Sequence, residues 1–205
     1  HMQAQGYQAV IPTLRPDVLL GLTATPERAD GRSLLVDFDG RIAAELRLWH
    51  ALEHQLLAPF EYYGLDDGVG AAALARLRWV RGRGYDAGDL DGLYTGNHAR
   101  ADLVVGQLAR KTDVTRMRAL GFCVSVAHAE FMAAHFVAKK IPAVALSGAS
   151  TSDERAAAQR ALEAGELRVI FTCDLFNEGI DLPFVDTLLL LRPTESATIF
   201  LQQLG

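Results

Sequence analysis

The chain reads as an α/β protein built on a doubly wound parallel sheet, and three observations carry that expectation. Short apolar runs of strand length recur after residue 97, alternating with helical segments of about ten to fifteen residues. Polar, turn-forming residues crowd the carboxyl ends of those runs, where open α/β sheets place their ligands. The totals suit a globular protein: 205 residues, half apolar and 22% charged, are enough to bury a core. No apolar run reaches the ~18 residues of a spanning candidate, so no membrane partner is expected, and without a signal peptide a cytoplasmic location is. Cys123 and Cys173 fall in apolar runs and read as buried free thiols in a reducing compartment. A net charge of −5 argues against a broad electrostatic nucleic-acid binder, but not against a local patch with backbone amides.

The elements follow in order. His1-Met2 reads as a tag remnant. Val18 to Leu22 reads as a strand ended by Thr23-Ala24-Thr25-Pro26, because Pro26 biases Thr25 to an extended backbone. Alternation over Ile42 to Leu48 predicts a strand, Trp49 to Leu57 a helix, and Phe60 to Gly64 another strand. Residues 65–96 turn rich in Gly, Asp and Arg and read as a linker or insert, with one helical piece around Ala71 to Val80. Arg76, Arg78, Arg81 and Arg83 read as a solvated face, and Gly82, Gly84 and Gly88 lack the spacing of a phosphate loop. Asn97 then caps a helix to about Lys111, Phe122 to Val126 reads as a strand, and Ala129 to Lys139 as a helix. Ala143 to Leu146 is the next strand. Thr151-Ser-Asp-Glu154 is a capping box whose helix runs to about Ala164 and stops at Gly165. Strands at Arg168 to Phe171 and Thr187 to Leu191 and a helix from about Ala197 complete the pattern.

Between those last two strands, Thr172, Asp174, Asn177, Glu178, Gly179 and Asp181 precede Pro183. Such a polar loop is either a turn between core strands or a site. Four further pieces accompany it: Leu22-Thr-Ala-Thr-Pro26, Gly121-Phe-Cys-Val-Ser-Val126, Leu146-Ser-Gly148 and Phe200-Leu-Gln-Gln-Leu-Gly205. In this order and spacing the chain resembles a superfamily 2 DEAD/DEAH-type helicase, in particular its restriction-subunit and repair group, from after the Walker B box to the start of motif VI.

The resemblance implies a RecA-like second lobe over 97–205, preceded by the tail of a first RecA-like lobe over 1–64. It implies that Thr23 and Thr25 couple nucleotide state to strand handling, as motif III. Ser125, Ser147, Gly148, Thr151, Thr172, Asn177 and Glu178 would meet the nucleic acid, and Gly179, Asp181 and Gln202 the nucleotide. Thr151 is equally explained as a cap alone, Ser125 as a strand serine, and Thr23 and Thr25 as a strand-ending turn. Asn177-Glu178-Gly179 stands where the DEAD-box RNA group has Ala-Arg-Gly, which favours DNA over RNA. The intact helicase would use ATP and Mg²⁺ and close its two lobes on the nucleotide.

Two rivals come from other classes. His50-Ala-Leu-Glu53-His54 matches the His-x-x-Glu-His spacing of inverted zinc proteases, given a helix and a third ligand. A RecA-like module that binds nucleic acid or protein without ATP chemistry is the other. The sequence has no Gly-x-x-x-x-Gly-Lys-Ser/Thr loop and no Walker B acidic pair, and it ends before the motif VI arginines. The chain alone is therefore expected to bind no nucleotide cofactor and to be inactive in ATP hydrolysis.

Overall fold

The computed structural model describes residues 10–23, 34–69, 71–80, 84–173 and 182–193. The chain divides into two units, His1–Leu65 and Asp66–Gly205. The first contains helix α1 (Val10–Leu14), a 3₁₀ turn (Leu34–Phe38) and helix α2 (Leu48–Glu53). Among its described residues there is no strand, which corrects the strands expected at Val18 to Leu22, Ile42 to Leu48 and Phe60 to Gly64. A strand is defined by its ladder, and apolar alternation supplies side chains but not a hydrogen-bonding neighbour. Val18, Leu20 and Leu22 are 84%, 72% and 90% exposed, so the apolar face that alternation would offer a sheet is uncovered. Here tertiary context, not pattern, decides the outcome.

In the second unit, the stretch expected to be a linker holds α3 (Ala71–Leu74), a two-residue hairpin of β1 (Trp79–Val80) and β2 (Gly84–Tyr85), and α4 (Ala87–Tyr94). The helical piece expected to reach Val80 therefore ends early. Asp86 caps α4 by accepting from the amides of Gly88 and Asp89. Arg78, expected on a solvated face, pairs with Asp86 at 3.0 Å and Asp89 at 3.1 Å and ties the hairpin to that cap.

From α5 (His98–Lys111) onward the expected alternation is present: β3 (Ala119–Phe122), α6 (Val126–Ala138), β4 (Ala143–Leu146), α7 (Ser152–Ala164), β5 (Val169–Thr172) and β6 (Thr187–Leu190). The four long strands are all parallel in the order β4-β5-β3-β6. Helix ends obey their local chemistry. Asn97 caps α5 by accepting from the Arg100 amide, and Arg110 and Lys111 sit in its last turn, where the helix dipole favours cations. Thr151 and Glu154 form the capping box of α7, and Gly165 ends it at φ 76°, a conformation glycine adopts without penalty.

Alternation along each strand sends side chains into two cores. Ala119, Val169, Phe171 and Leu189 join Ala101, Val104, Met132 and Phe136 of α5 and α6 on one face. Leu120, Phe122, Leu146 and Ile170 meet Ala158 and Leu162 of α7 on the other. Helices on both faces make this the doubly wound sheet that the sequence predicts. No helix among the described residues is long and apolar enough to cross a membrane.

Gly121 and Phe171 are register partners on β3 and β5. A Cβ at 121 would lie 2.3 Å from the Phe171 ring, which also packs edge-on against Phe136 with centroids 4.9 Å apart. The glycine is thus the space that the phenylalanine fills. Gly121→Ala is expected to destabilise the fold by about 1–3 kcal/mol through overpacking. Urea unfolding checks this, and a midpoint unchanged from wild type contradicts the packing.

Candidate functional site

Because β3 to β6 are parallel, their carboxyl ends share one edge of the sheet, and several sequence-predicted residues arrive there together. Ser125 follows β3, Ser147, Gly148 and Thr151 follow β4, and Thr172 ends β5. Thr23 belongs to the first unit. Thr25, Asn177, Glu178, Gly179, Asp181 and Gln202, with the helix expected from Ala197, lie outside the described residues.

Ser125 is not on a strand, since β3 ends at Phe122; it is the N-cap of α6. A strand over Phe122 to Val126 fails because Ser125 turns the chain into the helix, its Oγ accepting from the His128 amide at 2.9 Å. Its hydroxyl proton goes to Asp91 of α4, whose carboxylate also accepts from Thr95 Oγ1 at 2.6 Å. These bonds, from Ser125 first and Thr95 second, hold the Asp91 carboxyl below its ordinary range. A phosphate oxygen only accepts hydrogen bonds, so Ser125 Oγ must leave Asp91 before it can donate to one.

The loop after β4 is closed by its own side chains. Ser150 N donates to the Ser147 carbonyl at 3.0 Å, Ser150 Oγ accepts from Ser147 N at 3.0 Å, and Ser147 Oγ accepts from Ala149 N at 3.3 Å. Arg155 Nη2 reaches back to the Gly148 carbonyl at 3.0 Å. At the start of α7, Glu154 accepts from Thr151 N at 2.7 Å and from Thr151 Oγ1 at 3.1 Å, which lowers its carboxyl pKa. A helix N-terminus attracts anions, but here an anion of the protein already occupies it. Thr172 Oγ1 differs from these engaged hydroxyls, being buried without a hydrogen-bond partner.

Behind this edge lies a group that no motif announced. Arg100 is only 8% exposed. Its Nε contacts Asp67 at 2.6 Å, its Nη2 donates to the Leu191 carbonyl at 3.1 Å just past β6, and its guanidinium carbon lies 4.3 Å above the Tyr94 ring. Tyr94 stacks on His128 with centroids 5.9 Å apart. His128 Nδ1 accepts from the Val124 amide at 3.3 Å, so the ring proton sits on Nε2, which is buried without a partner. The only sequence signal was buried-face spacing in α5 and α6, which marks an arginine or histidine position as inward but not its bonds.

The zinc-protease rival rests on His50 and His54 sharing one helix face. His54 is the C-cap of α2 and does not extend its helical face, so His50 and His54 do not share the required helix. Among the described residues, no group of three or more His, Cys, Asp or Glu side chains could hold an ion. The residues expected to face a nucleotide, Gly179, Asp181 and Gln202, lie outside the described residues. Neither cysteine forms a disulfide; Cys123 is buried, which pushes its thiol pKa far up and leaves it unreactive, whereas Cys173 is half-buried rather than buried as expected.

Known proteins resemble this chain over most of its length. The helicase conserved C-terminal domain model matches residues 102–205. A 51.5 kDa protein of a Lactococcus phage is 26% identical over 205 residues, covering 99% of this chain and 43% of that protein. The putative ATP-dependent helicase IRC3 of Saccharomyces cerevisiae is 24% identical over 213 residues, covering all of this chain and 30% of that protein. The chain thus spans less than half the length of these relatives. Among solved structures, S. cerevisiae Dbp5 bound to RNA and ADP BeF3 aligns with a TM-score of 0.44 at 18% identity, over 53% of this chain and 29% of Dbp5. The Pyrococcus furiosus Hef helicase domain aligns with a TM-score of 0.41 at 23% identity, over 50% and 21%.

Burial first, and the positive charge of Arg100 second, lower the His128 pKa from 6.5 to about 4. The unfolded chain therefore binds a proton below pH 6.5 that the folded chain refuses until about pH 4. Stability is lost as pH falls through that window, by about 2 kcal/mol between pH 7.5 and pH 5. Urea unfolding of wild type and His128→Gln at both pH values checks this. The wild type should lose about that much more than the variant, and parallel losses contradict it.

Proposed function

We propose a function from one premise: the chain belongs to the helicase conserved C-terminal domain family. It is part of a superfamily 2 helicase and supplies the C-terminal lobe. On our reading that lobe grips a nucleic-acid backbone along the carboxyl edge of its sheet, DNA in preference to RNA, as part of an ATP-dependent motor. Residues 1–64 are the C-terminal part of the first lobe, residues 65–96 join the two, and residues 97–205 are the second lobe. The working place of the whole protein is the cytoplasm.

The observation that carries this reading is the gathering of Ser125, Ser147, Gly148, Thr151 and Thr172 at one sheet edge within the matched family region. Phosphate contacts position a protein on its strand without reading sequence, and loop hydroxyls and amides are suited to that. Thr172 Oγ1 is buried and unpartnered, so it can donate to a backbone oxygen only where the end of β5 opens to admit one. Ser125 and Thr151 engage only by exchanging Asp91 and Glu154 for phosphate, so grip and release differ by a swap of anions. Asn177 and Glu178 extend the same contact, Gly179, Asp181 and Gln202 face the nucleotide, and Thr23 and Thr25 couple the two events. ATP and Mg²⁺ belong to the longer protein, where they supply the free energy of movement, since this chain carries no P-loop.

Fluorescence anisotropy of the 205-residue chain with single-stranded DNA and RNA of equal length tests the assignment. Affinity should fall with salt along a linear log–log slope, with DNA bound more tightly, and the same preparation should show no ATP turnover. Salt-independent affinity, or no binding to either strand, overturns it.

A further inference from the structure

We propose that Arg100, paired with Asp67, is a positioning residue for the nucleic-acid face. It fastens residues 66–97 to the exits of β6 and β3 and thereby fixes the geometry of the strand-end loops. This rests on the reading of that edge as the nucleic-acid face.

The bonds of Arg100 point in different directions, and together they cross a boundary. Asp67, Tyr94 and Arg100 precede residue 102, where the family match begins, whereas Val124, His128 and Leu191 lie inside it. One fork holds Asp67 by Nε and the Leu191 carbonyl by Nη2. Its flat face covers Tyr94, whose ring stacks on His128, and His128 holds the amide of Val124 beside Ser125. A second strut runs in parallel, from Asp91 of α4 to Ser125 itself. The stretch that composition marks as a linker is, at this edge, the backing of two strand exits.

An ion pair with its arginine buried and its aspartate half-buried is a poor way to gain stability, because desolvation cancels much of the attraction and an apolar pair of similar volume often does as well. Arg100 carries an additional cost, since Nη1 is buried without any partner. What the pair gives instead is direction. A planar guanidinium fixes the angle between a carboxylate and a carbonyl, which neither an apolar side chain nor the single point charge of lysine can do.

Three variants of the 205-residue chain test this. Asp67→Asn removes a negative charge, so electrostatics alone would tighten nucleic-acid binding. Positioning predicts the reverse: affinity for single-stranded DNA at least fivefold weaker, with an unchanged salt slope because no phosphate contact is deleted. Arg100→Lys keeps the net charge and should weaken binding to the same degree. Tyr94→Phe keeps the stacked ring and should bind as wild type does. Amide exchange should quicken locally at 188–193 and 123–126 in the first two variants, not across the sheet. Unchanged or tighter binding by Asp67→Asn, or exchange that quickens everywhere or nowhere, overturns the inference while the lobe assignment stands. A wild-type chain that binds no nucleic acid overturns the lobe assignment itself, and the role of Arg100 with it.

Discussion

The ring of Phe171 lying on Gly121 is the contact from which the rest of the lobe follows. It sets β3 and β5 in register, and β3 in turn carries β6 on its other side. Two central strands locked side by side oblige their carboxyl ends to finish together. Ser125, Thr172 and Leu191 therefore meet at one edge without needing to bond one another. The same alternation that sends Phe171 to the α5–α6 core sends Ile170 to the α7 core. One register thus specifies both layers and the edge between them.

At that edge the lobe keeps most of its polar groups engaged. Ser125 donates to Asp91, Thr151 to Glu154, and the Gly148 carbonyl accepts from Arg155. A surface held by its own carboxylates resists an anion until those carboxylates are displaced, so contact here is an exchange and not a simple addition. His128 adds a constraint of another kind. Its neutral ring accepts from Val124, and charging it would put a second proton against that amide.

How much of this the sequence disclosed depends on the kind of interaction involved. The capping box at Thr151, the stop at Gly165 and the Asn97 cap are local signals, and each stands where composition places it. The strand–helix alternation after residue 97 is equally local and equally legible. Ser125 was legible as a residue of interest but not as a cap, since a serine ending a strand and a serine starting a helix look alike when they are adjacent. The strands expected before residue 64 fail for the opposite reason: a ladder needs a partner, and no single segment announces one. Arg100 was hidden for a third reason. Its partners lie 33 and 91 residues away, at distances no periodicity reports. Composition made 65–96 look like a spacer because Gly, Asp and Arg dominate it, yet Asp67, Asp91 and Tyr94 are the ones that reach the sheet edge.

The central claim is that nucleic acid meets this lobe along the carboxyl edge of its sheet. Amide hydrogen exchange of the 205-residue chain, with and without a single-stranded DNA oligonucleotide, tests it most directly. Protection on binding should concentrate at 123–126, 147–152 and 172–173. Protection confined to residues 1–65, or to the opposite ends of the strands, would contradict the account.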